Sequence, residues 1–398
     1  MMIGLKSALS LTALALALSA SASAAGNTIK IGALFPLSGD VAKLGEANKN
    51  GLRLAVDEIN AAGGIASMGG AKIELVWGDT QGKPEIGIGE VTRLVEQEKV
   101  SAIVGCFQSS VTLPATQAAE RLGVPFLDNI ATSDKITERG FKYTFRICPK
   151  ASWYAKDQVG FVKDLKALTG KNVTKVALLH ENTDFGESTA AGQKKYLQEA
   201  GIQVLIEVKY SASAPDLTTE VAKVKAVNPD VVLTVVYLND AVLIARAREA
   251  MGMTKIPFID AAGGTIDPQF LKQLGKTAEG WITEVEFTKF APGANVLNDK
   301  YFNAFGEDIT GDSAYAYQAG WVIGDALQRA ASSDRNMLRN ALAKMDMPAG
   351  KHMILPTNHI FFDNTGQNPN APLFVVQVQN GTMVPVWPAK YAAKKVQM

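Results

Sequence analysis

Residues 29–64 read IKIGALFPLSGDVAKLGEANKNGLRLAVDEINAAGG. The run Ile29 to Leu34 has the length and character of a buried strand. From Glu46 to Ala61 the period changes: Leu52, Ala55, Val56 and Ile59 recur at i, i+3, i+4 and i+7, one face of a helix, and Gly63-Gly64 ends it. The same pair of signals repeats outward along the chain. Lys72 to Trp77 reads as a strand and Glu85 to Gln97 as a helix with Ile88, Val91, Leu94 and Val95 on one face. Ala102 to Gly105 and Val124 to Leu127 read as strands around a helix from Pro114 to Leu122. The order βαβαβαβ predicts a parallel sheet with helices on both faces. After Cys148 the pattern restarts. Helices at Gln158 to Leu168, Glu187 to Ala200, Leu217 to Val227 and Asp240 to Met251 alternate with strands at Lys175 to Leu179, Gln203 to Val208, Asp230 to Tyr237 and Pro257 to Asp260. A strand at Trp281 to Val285, helices at Ser313 to Ala331 and Arg335 to Lys344, and strands at His359 to Phe362, Leu373 to Val378 and Met383 to Val386 follow. Two α/β sets of this size do not share one sheet easily. The predicted fold class is α/β, with two Rossmann-like lobes joined by several extended crossings.

Composition agrees with a globular chain. Among 398 residues, 40 Lys+Arg stand against 39 Asp+Glu and 47% are hydrophobic, which excludes a disordered or collagen-like protein and allows two or three domains. Lys6 precedes the apolar run Ala8 to Ala20, and Ala22-Ser23-Ala24 offers a small-x-small cleavage site. Residues 1–24 are therefore expected to be a secretory signal peptide, with the mature chain starting near Ala25 in the periplasm. Losing Lys6 leaves equal numbers of basic and acidic residues, so nothing draws the chain to nucleic acid or an anionic membrane. No later run reaches the roughly 18 apolar residues of a membrane span, no Cys at the cleavage site suggests a lipid anchor, and a soluble monomer is expected. Cys106 and Cys148 either pair or remain buried thiols, and the sequence leaves both open.

In open α/β sheets, ligands sit beyond the carboxyl ends of the strands, where loops lead into helix N-termini. Cys106-Phe107-Gln108-Ser109-Ser110 follows such a strand. Main-chain N–H groups and a Ser hydroxyl there suit a carboxylate, although a Ser that merely caps the helix has the same signature. Ile130-Ala131-Thr132-Ser133, ahead of a short helix from Asp134 to Arg139, opens on the cleft by the same geometry. Phe185, between a strand and its helix, and Tyr237, at a strand end, either reach the cleft or pack in the core. Other chemistry is absent from the pattern. His180, His352 and His359 lack a metal spacing, Gly87-Ile88-Gly89 lies inside a helical period, and no G-x-S-x-G occurs. No cofactor and no metal are expected, and a secreted hydrolase is disfavoured because no base and nucleophile converge.

Ile29-Lys30-Ile31-Gly32 through Pro36-Leu37-Ser38-Gly39, the AVDEINAAGG stretch from Ala55 to Gly64, Ser109-Ser110, Leu122-Gly123-Val124-Pro125, Thr137-Glu138-Arg139-Gly140 and Asp184-Phe185-Gly186 occur in an order and spacing that resembles the leucine/isoleucine/valine-binding branch of periplasmic solute-binding proteins. The resemblance implies the type I periplasmic binding fold. Lobe one would comprise 25–147 plus 286–352, lobe two 148–285 plus 353–398, and three crossings would form a hinge. It further implies capture of a small carboxylate between closing lobes and delivery to the membrane permease subunits of an ABC importer, or, less readily, a sensory role. It places Ser109, with Ser110 beside it, on the family's carboxylate-binding Ser, and Ala131 and Thr132 on positions that meet the ligand's polar end. Phe185 and Tyr237 match family aromatics. Amino-acid binders of the family carry an acid just after the strand matching Pro257 to Asp260; here that position is Ala262, followed by Gly263. The departure implies an aromatic or otherwise apolar organic acid, because a buried ammonium without an anion is costly. Asp260, on the same side of the strand as Ala262, keeps an amino-acid ligand open. Trp153 and Tyr154, in a loop beside the hinge, and Tyr315 and Tyr317, at a helix start, are expected as further aromatic walls.

Overall fold

The computed structural model describes residues 28–290, 294–350, 352–357 and 359–398; the expected signal peptide lies outside them. Strand β1 (Thr28–Phe35) is apolar on both faces, Ile29, Ile31, Ala33 and Phe35 entering one core and Leu34 the opposite one. β3 (Ala102–Gly105) repeats this with Ala102 and Val104 against Ile103. With β2 (Lys72–Asp79), β4 (Phe126–Asp128) and β5 (Thr144–Arg146) these strands form a parallel sheet in the order β2-β1-β3-β4-β5. Strands buried on both sides need cover on both sides. Helix α1 (Ala42–Ala61) buries Leu52, Ala55, Val56 and Ile59 on the first face, while α2 (Pro84–Glu96) and α3 (Ser109–Arg121) cover the second with Val91, Leu94, Val95, Val111 and Ala115.

The second sheet has the order β14-β13-β10-β9-β8-β6-β7. Its parallel strands are β6 (Lys175–Glu181), β7 (Gln203–Tyr210), β8 (Val231–Val235), β9 (Phe258–Asp260) and β10 (Ile282–Val285), and the antiparallel pair β13 (Phe374–Gln379) and β14 (Thr382–Trp387) closes one edge. Helices α4 (Ala151–Thr169) and α5 (Asp184–Glu199) pack on one face, and α6 (Thr218–Ala226), α7 (Leu238–Ala250) and α8 (Pro268–Leu274) on the other. After β10 the chain returns to the first core through α9 (Ala294–Phe305), α10 (Gly311–Ala330) and α11 (Arg335–Ala343).

Several expectations are corrected. A short ribbon of β11 (Asp346–Pro348) with β12 (His359–Phe361) precedes the final return, and Leu355, Ile360 and Phe362 are buried in the first core. Residues 353–362 thus pack with the first sheet rather than the second, because an apolar run reads alike whichever core buries it. Helix α3 starts at Ser109, five residues before Pro114, since a proline inside a helix removes only one ladder hydrogen bond when its neighbours hold the turn. Trp153 and Tyr154 lie in the first turn of α4, not in a loop. Cys106 and Cys148, which the sequence left open between a pair and two buried thiols, are both free and buried.

The buried guanidinium of Arg146 ties two crossings together. Its Nε donates to Gln367 Oε1 (2.6 Å), Nη1 to the carbonyls of Ala131 (3.2 Å) and Ser133 (2.8 Å), and Nη2 to Thr137 Oγ1 (2.9 Å). Gln367 Nε2 donates in turn to Cys148 O at 2.7 Å. The loop between Asp128 and Thr137 is therefore tied to the crossings at Cys148 and Gln367.

Candidate functional site

A small cavity lies between the lobes. The first sheet contributes Phe107, Ser109, Ile130 and Thr132, and the second Phe185, Tyr237, Ala262, Gly263 and Ile266. Glu286, at the crossing after β10, and Asp312, in the first turn of α10, complete its lining.

Local structure explains each placement. Gln108 is the N-cap residue of α3, so Ser109 begins the helix; its hydroxyl oxygen accepts from the Ser133 N–H (3.1 Å), which leaves its own proton free to donate. An N-cap Ser is excluded here. Thr132 stands between two carbonyls clamped by Arg146, while Asp128 Oδ1 accepts from the N–H groups of Ile130 (3.1 Å) and Ala131 (2.9 Å). Thr132 Oγ1 has no partner among the described residues. Phe185 sits in the first turn of α5, which Glu181 fixes by accepting from Thr183 Oγ1 (2.9 Å) and Gly186 N (2.6 Å). Tyr237 precedes α7, with Asp240 Oδ2 accepting from its N–H at 3.2 Å. Its ring centroid is 5.5 Å from that of Phe185 and 6.2 Å from that of Phe107, so the lobes touch across the cleft. Ala262 has φ +60°, a conformation that a side chain rarely adopts.

The cavity is polar at two poles and apolar between them. Ser109, Thr132 and the first-turn N–H groups of α3 are donors. Glu286 and Asp312 are acceptors. The Tyr154 hydroxyl donates to Glu286 Oε1, whereas Glu286 Oε2 and Asp312 Oδ2 have no partner. Burial pushes the Glu286 carboxyl up against the pull of Tyr154, and burial, then Glu286 and Asp267, push Asp312 well above the ordinary carboxylate range.

Of the residues singled out from sequence, Ser109, Thr132, Phe185, Tyr237, Ala262 and Gly263 line the cavity. Ser110 faces a broader outer groove that meets the cavity at Tyr237. Ala131 is buried behind the wall, its carbonyl taken by Arg146 and the Cys148 thiol. Tyr154 also lies behind the wall, packed with Phe185 and Leu373, and reaches the site through Glu286. Tyr315 and Tyr317 belong to the first core, and Tyr317 donates to Glu58 at 2.6 Å. Asp260 does not face the cavity: Thr234 and Thr265 donate to it at 3.0 and 2.6 Å. Glu286 and Asp312 were missed. In Trp281-Ile282-Thr283-Glu284-Val285-Glu286-Phe287 two acids alternate along a run that is otherwise mostly apolar, and that was the available signal. An Asp in a first helical turn signals only a favourable dipole.

Comparison with known proteins matches this architecture. The family described as "Periplasmic binding protein" matches residues 28–382. A Leu/Ile/Val-binding protein homolog of Brucella suis is 32% identical over 385 residues, covering 94% of this chain and 95% of that protein. The branched-chain amino acid transporter substrate-binding protein LivJ of Streptococcus pneumoniae, solved with isoleucine, superposes with a TM-score of 0.77 at 27% identity, covering 90% of this chain and 98% of that one. A solute-binding protein of an ABC transporter from R. palustris, solved with benzoate, has a TM-score of 0.78 at 20% identity over 90% of this chain and 96% of that one, a likeness of fold. Two α/β lobes of the type I fold, matched over nearly their whole length, place this chain in the periplasmic binding protein family.

Proposed function

We propose that the protein is the solute-binding component of an ABC importer, capturing a small carboxylate with a compact apolar body and handing it unchanged to the permease subunits. One observation carries the reading: a small cavity walled by both lobes, with hydroxyls and a helix start on one side and aromatic rings on the other. Residues 1–24 direct export and are removed, and the mature chain works in the periplasm as a monomer. The two sheets, with their own helices, form the two lobes, and the crossings after β5, β10 and β12 form the hinge. The ligand carboxylate lies at Ser109 and Thr132, and Phe185 and Tyr237 close over its body.

Two ligand bodies suit the walls. The rings of Phe107, Phe185 and Tyr237 favour an aromatic organic acid. The acids Glu286 and Asp312 favour an amino acid, as do the name of the Brucella relative and the isoleucine bound by the Streptococcus protein. A thermal-shift panel of aliphatic acids, aromatic acids and amino acids tests the proposal. A ligand at a hundred times its dissociation constant adds about 2.7 kcal/mol, and a panel without any stabilising carboxylate would remove the reading.

A further inference from the structure

We infer that Arg146 is a positioning residue for ligand capture: it fixes the loop that carries Thr132 to the crossings at Cys148 and Gln367, and affinity depends on that hold. The inference deepens the proposed contact between Thr132 and a carboxylate and rests on it. Arg146 ends β5, is fully buried and does not line the cavity. Residues 129–133 belong to no helix or strand, so side chains must supply the hydrogen bonds that a ladder would give. Arg146 Nη1 takes the carbonyls on both sides of Thr132, Ala131 at 3.2 Å and Ser133 at 2.8 Å, and Nη2 donates to Thr137 Oγ1 at 2.9 Å. Its Nε turns the other way, to Gln367 Oε1 at 2.6 Å in the crossing after β12.

The main chain locks the same junction. Arg146 N donates to Gly366 O (2.8 Å) and Asn368 N to Arg146 O (2.8 Å), while Gln367 Nε2 reaches Cys148 O (2.7 Å). One residue thus spans two crossings and the Thr132 loop. The far edge of that loop meets the second lobe: Thr132 O accepts from Ala151 N (2.7 Å) and Asp134 Oδ1 from Ser152 N (2.9 Å), both in the first turn of α4. Lys150, the cap residue of α4, makes no side-chain cap, so the loop satisfies that helix start. Thr132 Oγ1 is left without a partner among the described residues and lies at the cavity. A hydroxyl held on both flanks is in place before a ligand arrives, so binding has less ordering to supply. Lysine is no substitute for the fork: its three donors leave one atom, whereas the four bonds of Arg146 leave three atoms in a plane.

Titration calorimetry on the full mature protein, with isoleucine and benzoate as probes, tests the inference together with hydrogen exchange of the unliganded protein. Arg146→Lys keeps the charge and loses the fork. It should weaken whichever probe binds by about ten-fold or more. In a Thr132→Val background the same substitution should cost less than about three-fold, because a residue that acts through Thr132 has nothing left to position. Equal losses in both backgrounds would mark a merely structural role and overturn the inference. Gln367→Met frees Arg146 Nε without removing a hydrogen bond to residues 130–134, and should show the same non-additivity with a smaller loss; it carries the test if Arg146→Lys does not fold. Without ligand, exchange of residues 130–134 should quicken by about ten-fold or more in either variant while β1 exchanges as in the wild type. Failure of both probes to bind the wild type would count against the carboxylate reading, and exchange would then decide the positioning role alone. Unchanged exchange of residues 130–134 would overturn the inference.

Discussion

Ser109 illustrates how a single hydroxyl is made available. Because Gln108 occupies the cap position, Ser109 Oγ is not spent on its own helix, and accepting from Ser133 N leaves its proton for a ligand. Ser109→Ala should therefore weaken binding of a stabilising carboxylate by about 1.5–3 kcal/mol, the range for a hydrogen bond to a charged group, as measured by calorimetry. Unchanged affinity would place the carboxylate elsewhere. At Ala262 the backbone conformation (φ +60°) costs a residue with a Cβ but not glycine. Ala262→Gly should raise the unfolding free energy of the unliganded protein by about 1 kcal/mol in urea titrations, and a destabilised variant would contradict this. Ser109, Thr132, Phe185 and Tyr237 were legible because strand-end loops ahead of helices announce themselves. Glu286 and Asp312 were not, because only the fold brings the crossing after β10 and the first turn of α10 to one cavity.

Among the elements, α1 and α10 approach each other closely. A Cβ at Gly51 would lie 2.0 Å from Ser313 O, and one at Gly320 would lie 2.6 Å from the Ala55 Cβ. Backbone cannot yield as a flexible side chain can, so Gly51→Ala must push the helices apart. It should lower stability by about 1–3 kcal/mol or more. Gly63→Ala is a useful contrast, because a Cβ there meets nothing within 4 Å and only its φ of +110° opposes it. A neutral Gly51→Ala would mean that the two helices are not packed this way. Periodicity found both helices, since Leu52, Ala55, Val56 and Ile59 recur on one face, but helix starts were less legible. Pro114 suggested a start that the capping geometry places at Ser109. The last return was misplaced for a related reason: Ile360 and Phe362 are apolar wherever they are buried, and only packing assigns them to the first core.

The whole molecule keeps several acids away from water. Burial pushes Asp128 and Asp240 up to about 7, despite the nearby Arg146 charge for Asp128, and Asp157 up to about 6. Carboxylates of the unfolded chain titrate near about 4. Between those values the folded chain holds more protons than the unfolded one, so stability from these groups is present at the acid end and is lost as pH rises through about 4–7. Asp79, Glu187 and Asp308, which lie near the surface, are shifted downwards and act below that window. The urea midpoint of the unliganded protein should thus be higher at pH 5 than at pH 8, and the opposite order would contradict the burial of these groups.

The cavity is lined by side chains from both lobes, and Phe107 meets Tyr237 across the cleft. On the proposed capture between closing lobes, the bound form gains contacts of Phe185 and Tyr237 that an open form lacks. Small-angle scattering of the mature protein, with and without a saturating carboxylate identified by thermal shift, tests this most directly. The radius of gyration should fall on binding. An unchanged radius, with the ligand bound at one per chain, would contradict closure of two lobes around it.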